Sequence, residues 1–184
     1  KNGGKGKALA DGVRKADELG LTHVLQIDSD GQHDAERVAH FVEVSKKNPD
    51  AIICAYPEYD ESAPKHRVNG RTIANACIHT VTLSKQIKDG MIGFRIYPVA
   101  PYVKLLNSHA IIDARMGYDI DILVRLFWKN VPVICESVKV TYPVDGVSNF
   151  RLVRDNARIS LTYARLFLGM IVRLPILIYR KVKR

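Results

Sequence analysis

Three cysteines in 184 residues, with no Cys-x-x-Cys pair among them, argue against both a disulfide framework and a structural zinc site. Cys54, Cys77 and Cys135 lie far apart in apolar surroundings, as free thiols in a reducing compartment do. Zinc-finger spacing is missing, and so is any aromatic RNA-binding signature, which sets nucleic acid aside as a partner. No internal repeat, low-complexity tract or Pro/Gly/Ser linker divides the chain. An initiator Met and a signal-like apolar stretch are absent as well. The chain opens on "KNGGKGKALADG", and we expect it to be a piece of a longer protein whose natural N-terminal part precedes Lys1.

What remains suits one globular domain with a real core: 47% hydrophobic and 26% charged residues. The formal net charge is +9, with basic residues crowding the two ends, Lys1, Lys5 and Lys7 at the start and Arg151 to Arg184 at the finish. That balance favours anionic partners such as nucleotides or anionic lipid, and basic solvated faces are the plain alternative.

Apolar spacing predicts a helix from Gly6 to Leu19, stopped by Gly20, and then a short buried strand, "THVLQID". The helix "DAERVAHFVEVSKK" follows, with Asp34 as N-cap and Glu36 in its first turn. The strand "AIICAYP" comes next. Helix and strand alternate, the mark of an α/β layered domain with a parallel sheet. Further along, residues 63 to 84 read as a long helix and "MIGFRIYP" as a strand. "YVKLLN" reads as a short helix and "GYDIDILVRLFWKN" as a strongly amphipathic one. "VPVICESVKVTYP" is β-rich, with Val133, Cys135, Val138 and Val140 against polar neighbours. From Asn149 the chain becomes a basic amphipathic helical tail.

The informative stretch is "VLQIDSDGQHD". An apolar strand ends in Asp28, Asp30 and Asp34, a costly concentration of negative charge unless something positive sits there. In open α/β sheets, ligands bind beyond the carboxyl ends of strands. Asp28 and Asp30, two residues apart, project in related directions there. Two such carboxylates suit Mg²⁺ or Mn²⁺, with phosphate and water completing the shell, and the ion would neutralise a diphosphate leaving group. A calcium loop fails, because Gly31 stands at the fourth position and Ala39 where the bidentate Glu belongs. Phosphatases of the haloacid-dehalogenase type share a strand ending in D-x-D-G but carry Thr or Val where this chain has Gln32. A helix cap with a solvated turn accounts for Asp34 but not for Asp28 and Asp30 together.

"QIDSDGQHD" resembles the D-x-D-x-Q segment of family 2 glycosyltransferases, and other stretches match that family in order. "NGGKGKALADG" resembles its glycine-and-lysine helix entry and "DGMIGFRIYP" its D-x-x-x-G-F-R strand. "GYDIDILVRLFWKN" resembles the acidic acceptor-side helix, and "ESVKVTYPVDGVSNF" the closing strand with its G-x-S loop. The match runs to about residue 155 and is nearest to bacterial enzymes that work on lipid-linked or polyprenyl-phosphate substrates. The resemblance implies a GT-A-like, Rossmann-like mixed sheet flanked by helices. This chain lacks the strand–helix–strand unit that opens the family fold and holds the nucleotide base. Residues 1–150 would form the partial glycosyltransferase domain and 151–184 the tail.

That resemblance also implies the roles. Asp30 would touch the metal, and Asp28 the ribose or a metal-bound water. Gln32 and His33 can hydrogen-bond donor phosphate or sugar, although a lone histidine by an acidic loop is more often a satisfied polar residue. Lys5 and Lys7 stand at a helix start among glycines, where backbone N–H groups can meet phosphate. Their string is not a Walker loop, and a flexible exposed turn is the equal alternative. Gly93 and Arg95 would line the donor, with Asp89 on the same stretch. Asp121 is the first candidate for the base that deprotonates an acceptor hydroxyl, and Asp89 the second. For Asp119 and Asp121 the plain reading is favourable charge at a helix N-terminus. With a lipid phosphate as acceptor the base is dispensable, and Arg67, Arg71 and Arg95 become phosphate ligands.

The tail, "ARISLTYARLFLGMIVRLPILIYRKVKR", is interrupted by charge and by Pro175 and so makes a poor transmembrane helix. It suits a helix lying in the interface of an anionic membrane, on the cytoplasmic face, or one packed against another part of the protein. The expected activity is metal-dependent, inverting sugar transfer from a nucleotide-sugar to a lipid-associated or glycan acceptor. The alternatives are a metal-dependent phosphohydrolase with Asp28 as nucleophile, and a non-catalytic basic module on a membrane surface.

Overall fold

The computed structural model describes residues 3–28, 36–59, 63, 65–140 and 151–183. Four strands form one sheet: β1 (His23–Gln26), β2 (Ile52–Tyr59), β3 (Arg95–Pro98) and β4 (Val133–Val140). Six helices flank it: α1 (Lys5–Glu18), α2 (Arg37–Lys47), α3 (Lys65–Thr82), α4 (Val99–Leu106), α5 (Tyr118–Trp128) and α6 (Leu152–Val182). Spatial order is β1-β3-β2-β4. β2 and β4 pair in parallel along their whole length, from Ile52 opposite Val133 to Tyr59 opposite Val140.

β3 runs antiparallel to both of its neighbours, so the sheet is mixed, as the resemblance implied, and not the parallel sheet that alternating helices and strands suggested. A strand followed at once by a helix, with Pro98 at the junction, carries no residue pattern that reveals its direction. Because β1 and β2 both oppose β3, they run the same way as each other and as β4. All three therefore run out at one edge of the sheet. Residues 29–35, 60–62, 64 and 141–150, which follow these strands in the sequence, are outside the described residues.

Side-chain alternation sorts the sheet into two faces. Register sets Gln26, Arg95, Cys54 and Cys135 side by side across the four strands on one face. Leu25, Ile96, Ile53 and Ile134 share the other. Under α2, Phe41 stacks on Phe94 at 4.3 Å between ring centroids, with Ile53, Ile96, Val138 and Val140 around them. The larger core fills the opposite side beneath α1, α3, α4, α5 and α6. β4 serves both cores through its alternating side chains: Val133 packs in the larger, and Val138 and Val140 pack in the smaller.

Element limits differ from the sequence reading where tertiary contacts intervene. Of "MIGFRIYP" only the last four residues join the sheet. Before them, Asp89 Oδ1 accepts from the N–H groups of Met91 and Ile92 and shapes a turn instead. β1 is likewise shorter than "THVLQID". α4 begins three residues earlier than "YVKLLN", with Pro101 in its first turn, where the missing N–H costs nothing. α6 continues through Pro175, and Met170 before it and Leu177 after it are both packed on the core. The Asp34 cap falls outside the described residues.

Candidate functional site

Glycine brings the start of α1 to the sheet edge. Gly4 has φ of +87°, a conformation open to glycine and rarely to other residues. Gly6 lies so close to the Tyr118 ring and the Ala114 backbone that a Cβ there would overlap them. Its N–H donates to Ala114 O at 3.1 Å. This close approach sets Lys5 beside the first turn of α5.

The Lys5 ammonium bridges two carboxylates, lying 2.6 Å from Asp28 Oδ1 and 2.7 Å from Asp119 Oδ2. Asp28 stands two residues past the end of β1, and the Gly93 backbone lies against its carboxylate with no room for a side chain. Gln26, on β1, donates from Nε2 to Asp119 Oδ1 at 2.8 Å. Arg95, on β3, donates from Nη1 to the Asp119 carbonyl at 2.8 Å and to the Tyr97 hydroxyl at 3.0 Å. Three elements thus converge on Asp119. Burial works to lower the Lys5 pKa, but Asp119 and Asp28 together outweigh it, and the net shift is upward. Lys5 alone meets the two carboxylates, while the buried Arg95 guanidinium stands beside them on the Asp119 backbone carbonyl.

The other expected site residues are placed differently. Arg95 is fully buried, so it braces the site from beneath rather than lining it; its Nε and Nη2 have no hydrogen-bond partner among the described residues. Lys7 is exposed and pairs with Asp11 one helical turn on. Asp121 is buried, with one oxygen on Arg125 Nε and the other accepting the Asp113 N–H at 2.8 Å. Burial pushes its carboxyl pKa up despite the arginine. Asp89 is also buried: Oδ2 forms an ion pair with Arg71 Nε at 2.6 Å and accepts from Asn75 at 3.3 Å. Arg71 donates in addition to the Tyr59 hydroxyl at 3.3 Å. Both expected bases therefore already hold partners. Asp30, Gln32 and His33 lie outside the described residues, as does the side chain of Arg67.

Sequence reasoning did not single out Gln26 or Asp119 as site residues. Gln26 precedes Asp28 by two, the strand period that puts both on one face, and that signal was available. Asp119 and Asp121 are about 200° apart around α5, and only the packing of the helix decides which of them meets β1. Among the described residues no group of three or more His, Cys, Asp or Glu side chains gathers as a metal site. What does gather is a pair of carboxylate oxygens directed at one cation, the hard-donor chemistry that Mg²⁺ or Mn²⁺ takes. No protein-family model and no curated protein matches this chain.

Proposed function

We propose that the protein is a metal-dependent, inverting glycosyltransferase with a GT-A-like fold, moving a sugar from a nucleotide-sugar to a lipid-associated or glycan acceptor. One observation carries this reading. Asp28 and Asp119 converge on Lys5 at the edge where β1, β2 and β4 all run out, the side on which α/β sheets bind ligands.

Asp28, with Asp30 two residues on, would hold Mg²⁺ or Mn²⁺, and the bound ion supplies charge neutralisation for the departing diphosphate. Lys5 turns from the carboxylates to the diphosphate oxygens, a task suited to a compact ammonium on a flexible stem. Gln26 and Arg95 keep Asp119 in place when it loses the lysine. Asp119 then takes the proton of the acceptor hydroxyl as its oxygen bonds to the anomeric carbon. The bond from that carbon to the phosphate oxygen breaks, and the nucleoside diphosphate leaves. Asp121 fixes α5 through Arg125 and Asp113, and the base role passes to Asp119. An acceptor that is already an anionic phosphate needs no base.

The test is nucleoside diphosphate release with Mn²⁺ and a panel of nucleotide-sugars. Wild-type chain should release product, Asp28→Ala should abolish release, and Asp119→Asn should slow transfer to a hydroxyl acceptor about 10²-fold or more. Turnover untouched by Asp28→Ala contradicts the proposal. So does Mn²⁺-dependent phosphate release from simple phosphomonoesters that Asp28→Asn stops.

A further inference from the structure

We infer that α6 docks the protein in the plane of an anionic membrane, its outward face immersed among the lipid headgroups. This rests on the helix alone and holds whether or not the chain transfers sugar. Along the inner line of α6, Ile159, Thr162, Leu166, Met170 and Leu177 are buried against the domain. Along the outer line, Leu161, Leu168, Val172 and Tyr179 are 58%, 64%, 80% and 64% exposed. Their intervals of seven, four and seven residues keep them on one stripe. Phe167, Ile171 and Ile178 widen it, each about half exposed.

Between the two lines runs a third. Arg158, Arg165, Arg173 and Arg180 recur at seven, eight and seven residues and are all half-buried. Arg173 lies over the Trp128 ring at 4.7 Å, and Arg180 donates to the Trp128 carbonyl at 2.9 Å. Their stems cover the flank of the helix and their charges lie beside the apolar stripe, the level of lipid phosphates for a helix immersed on its outer side.

Charge selects the occupant. Eight cations stand between Arg151 and Lys183 against one carboxylate, Asp155. That carboxylate is buried and accepts the Arg151 N–H. The exposed surface of the helix therefore carries positive charge only. A second copy would bring like charges together, whereas an anionic lipid surface complements them.

By length and composition, Val153–Val182 could also cross a membrane, with a mean hydropathy of 1.7 in its most apolar stretch. The buried line argues for the in-plane pose. Ile159 to Leu177 hold the helix to the domain over most of its length, and crossing would strip that core and carry Arg165 and Arg173 into hydrocarbon.

Flotation with vesicles tests this, using phosphatidylcholine alone and phosphatidylcholine with phosphatidylglycerol. Phosphatidylglycerol should raise binding about tenfold or more, and salt should reverse the gain. Leu168→Asp with Val172→Asp should abolish binding while circular dichroism and the melting temperature stay as in wild type. In a Phe167→Trp chain the added emission should be quenched more by bromines near the headgroup than by bromines near the chain ends. Binding indifferent to phosphatidylglycerol overturns the inference, as does binding that survives the two aspartates. Stronger quenching from the chain ends means a spanning helix. A dimer in solution that the aspartates dissociate means a second copy covers the face.

Discussion

The backbone of Gly93 lies directly against the carboxylate of Asp28, leaving no space in which a side chain could stand between them. Gly93→Ala should displace Asp28 and weaken Mn²⁺-dependent nucleotide binding about tenfold or more, at a stability cost of about 1–3 kcal/mol from overpacking. Gly70, in α3, has open space around it. Gly70→Ala is the control: neutral in binding and more stable by about 0.5–1 kcal/mol through helix propensity. Calorimetric titration and urea unfolding of the two variants check both statements.

Lys5 couples the site to alkaline pH. Its pKa lies above the ordinary 10.5 in the folded chain. Its contribution to stability is therefore complete below 10.5 and is lost as pH climbs through the higher folded value. Lys5→Met should lower stability at pH 8 and flatten the fall in the alkaline range, read by urea unfolding at a series of pH values. Steeper alkaline loss in Lys5→Met than in wild type contradicts the bridge.

The two aspartates of α5 should separate cleanly. Asp121→Asn disturbs a buried pair with Arg125 and should cost about 3 kcal/mol in stability while leaving nucleotide binding intact. Asp119→Asn should do the reverse, slowing turnover with a smaller change in stability. The pH sign adds a second readout. With its folded pKa raised by burial, Asp121 favours the folded state most at low pH, and that preference fades as pH rises from the ordinary 3.8 through the folded value. Asp121→Asn should remove this fading, seen in melts at acid pH.

Burial pushes the Cys54 thiol up to about 12, and its position is fully enclosed. Native protein at pH 8 should leave Cys54 unmodified by a thiol reagent, with at most the half-buried Cys77 and Cys135 reacting. All three should react after unfolding. Mass spectrometry of the labelled peptides distinguishes the cysteines.

Periodicity carried much of the architecture. Buried positions Ala10, Val13 and Ala16 of α1, and the apolar runs of β2 and β4, are local patterns that burial requires. The direction of β3 was not local, since four buried residues read the same both ways. Nor was the split between Asp119 and Asp121, because both occupy the first turn of α5 and only the approach of Lys5 and Gln26 tells them apart. Arg95 misled by its chemistry. A guanidinium next to a proposed phosphate site suggests a ligand, yet its register position between Gln26 and Cys54 places it inside the sheet.

The sugar-transfer proposal turns on whether Asp28, which holds Lys5, can hold a metal–diphosphate complex instead. Titration calorimetry of nucleoside diphosphates into the chain, with and without Mn²⁺, measures that directly. The account predicts one site that requires Mn²⁺, is lost in Asp28→Ala and weakened in Lys5→Ala, and survives Asp121→Asn. Binding that ignores both Mn²⁺ and Asp28, or no binding of any nucleoside diphosphate to the folded chain, contradicts it.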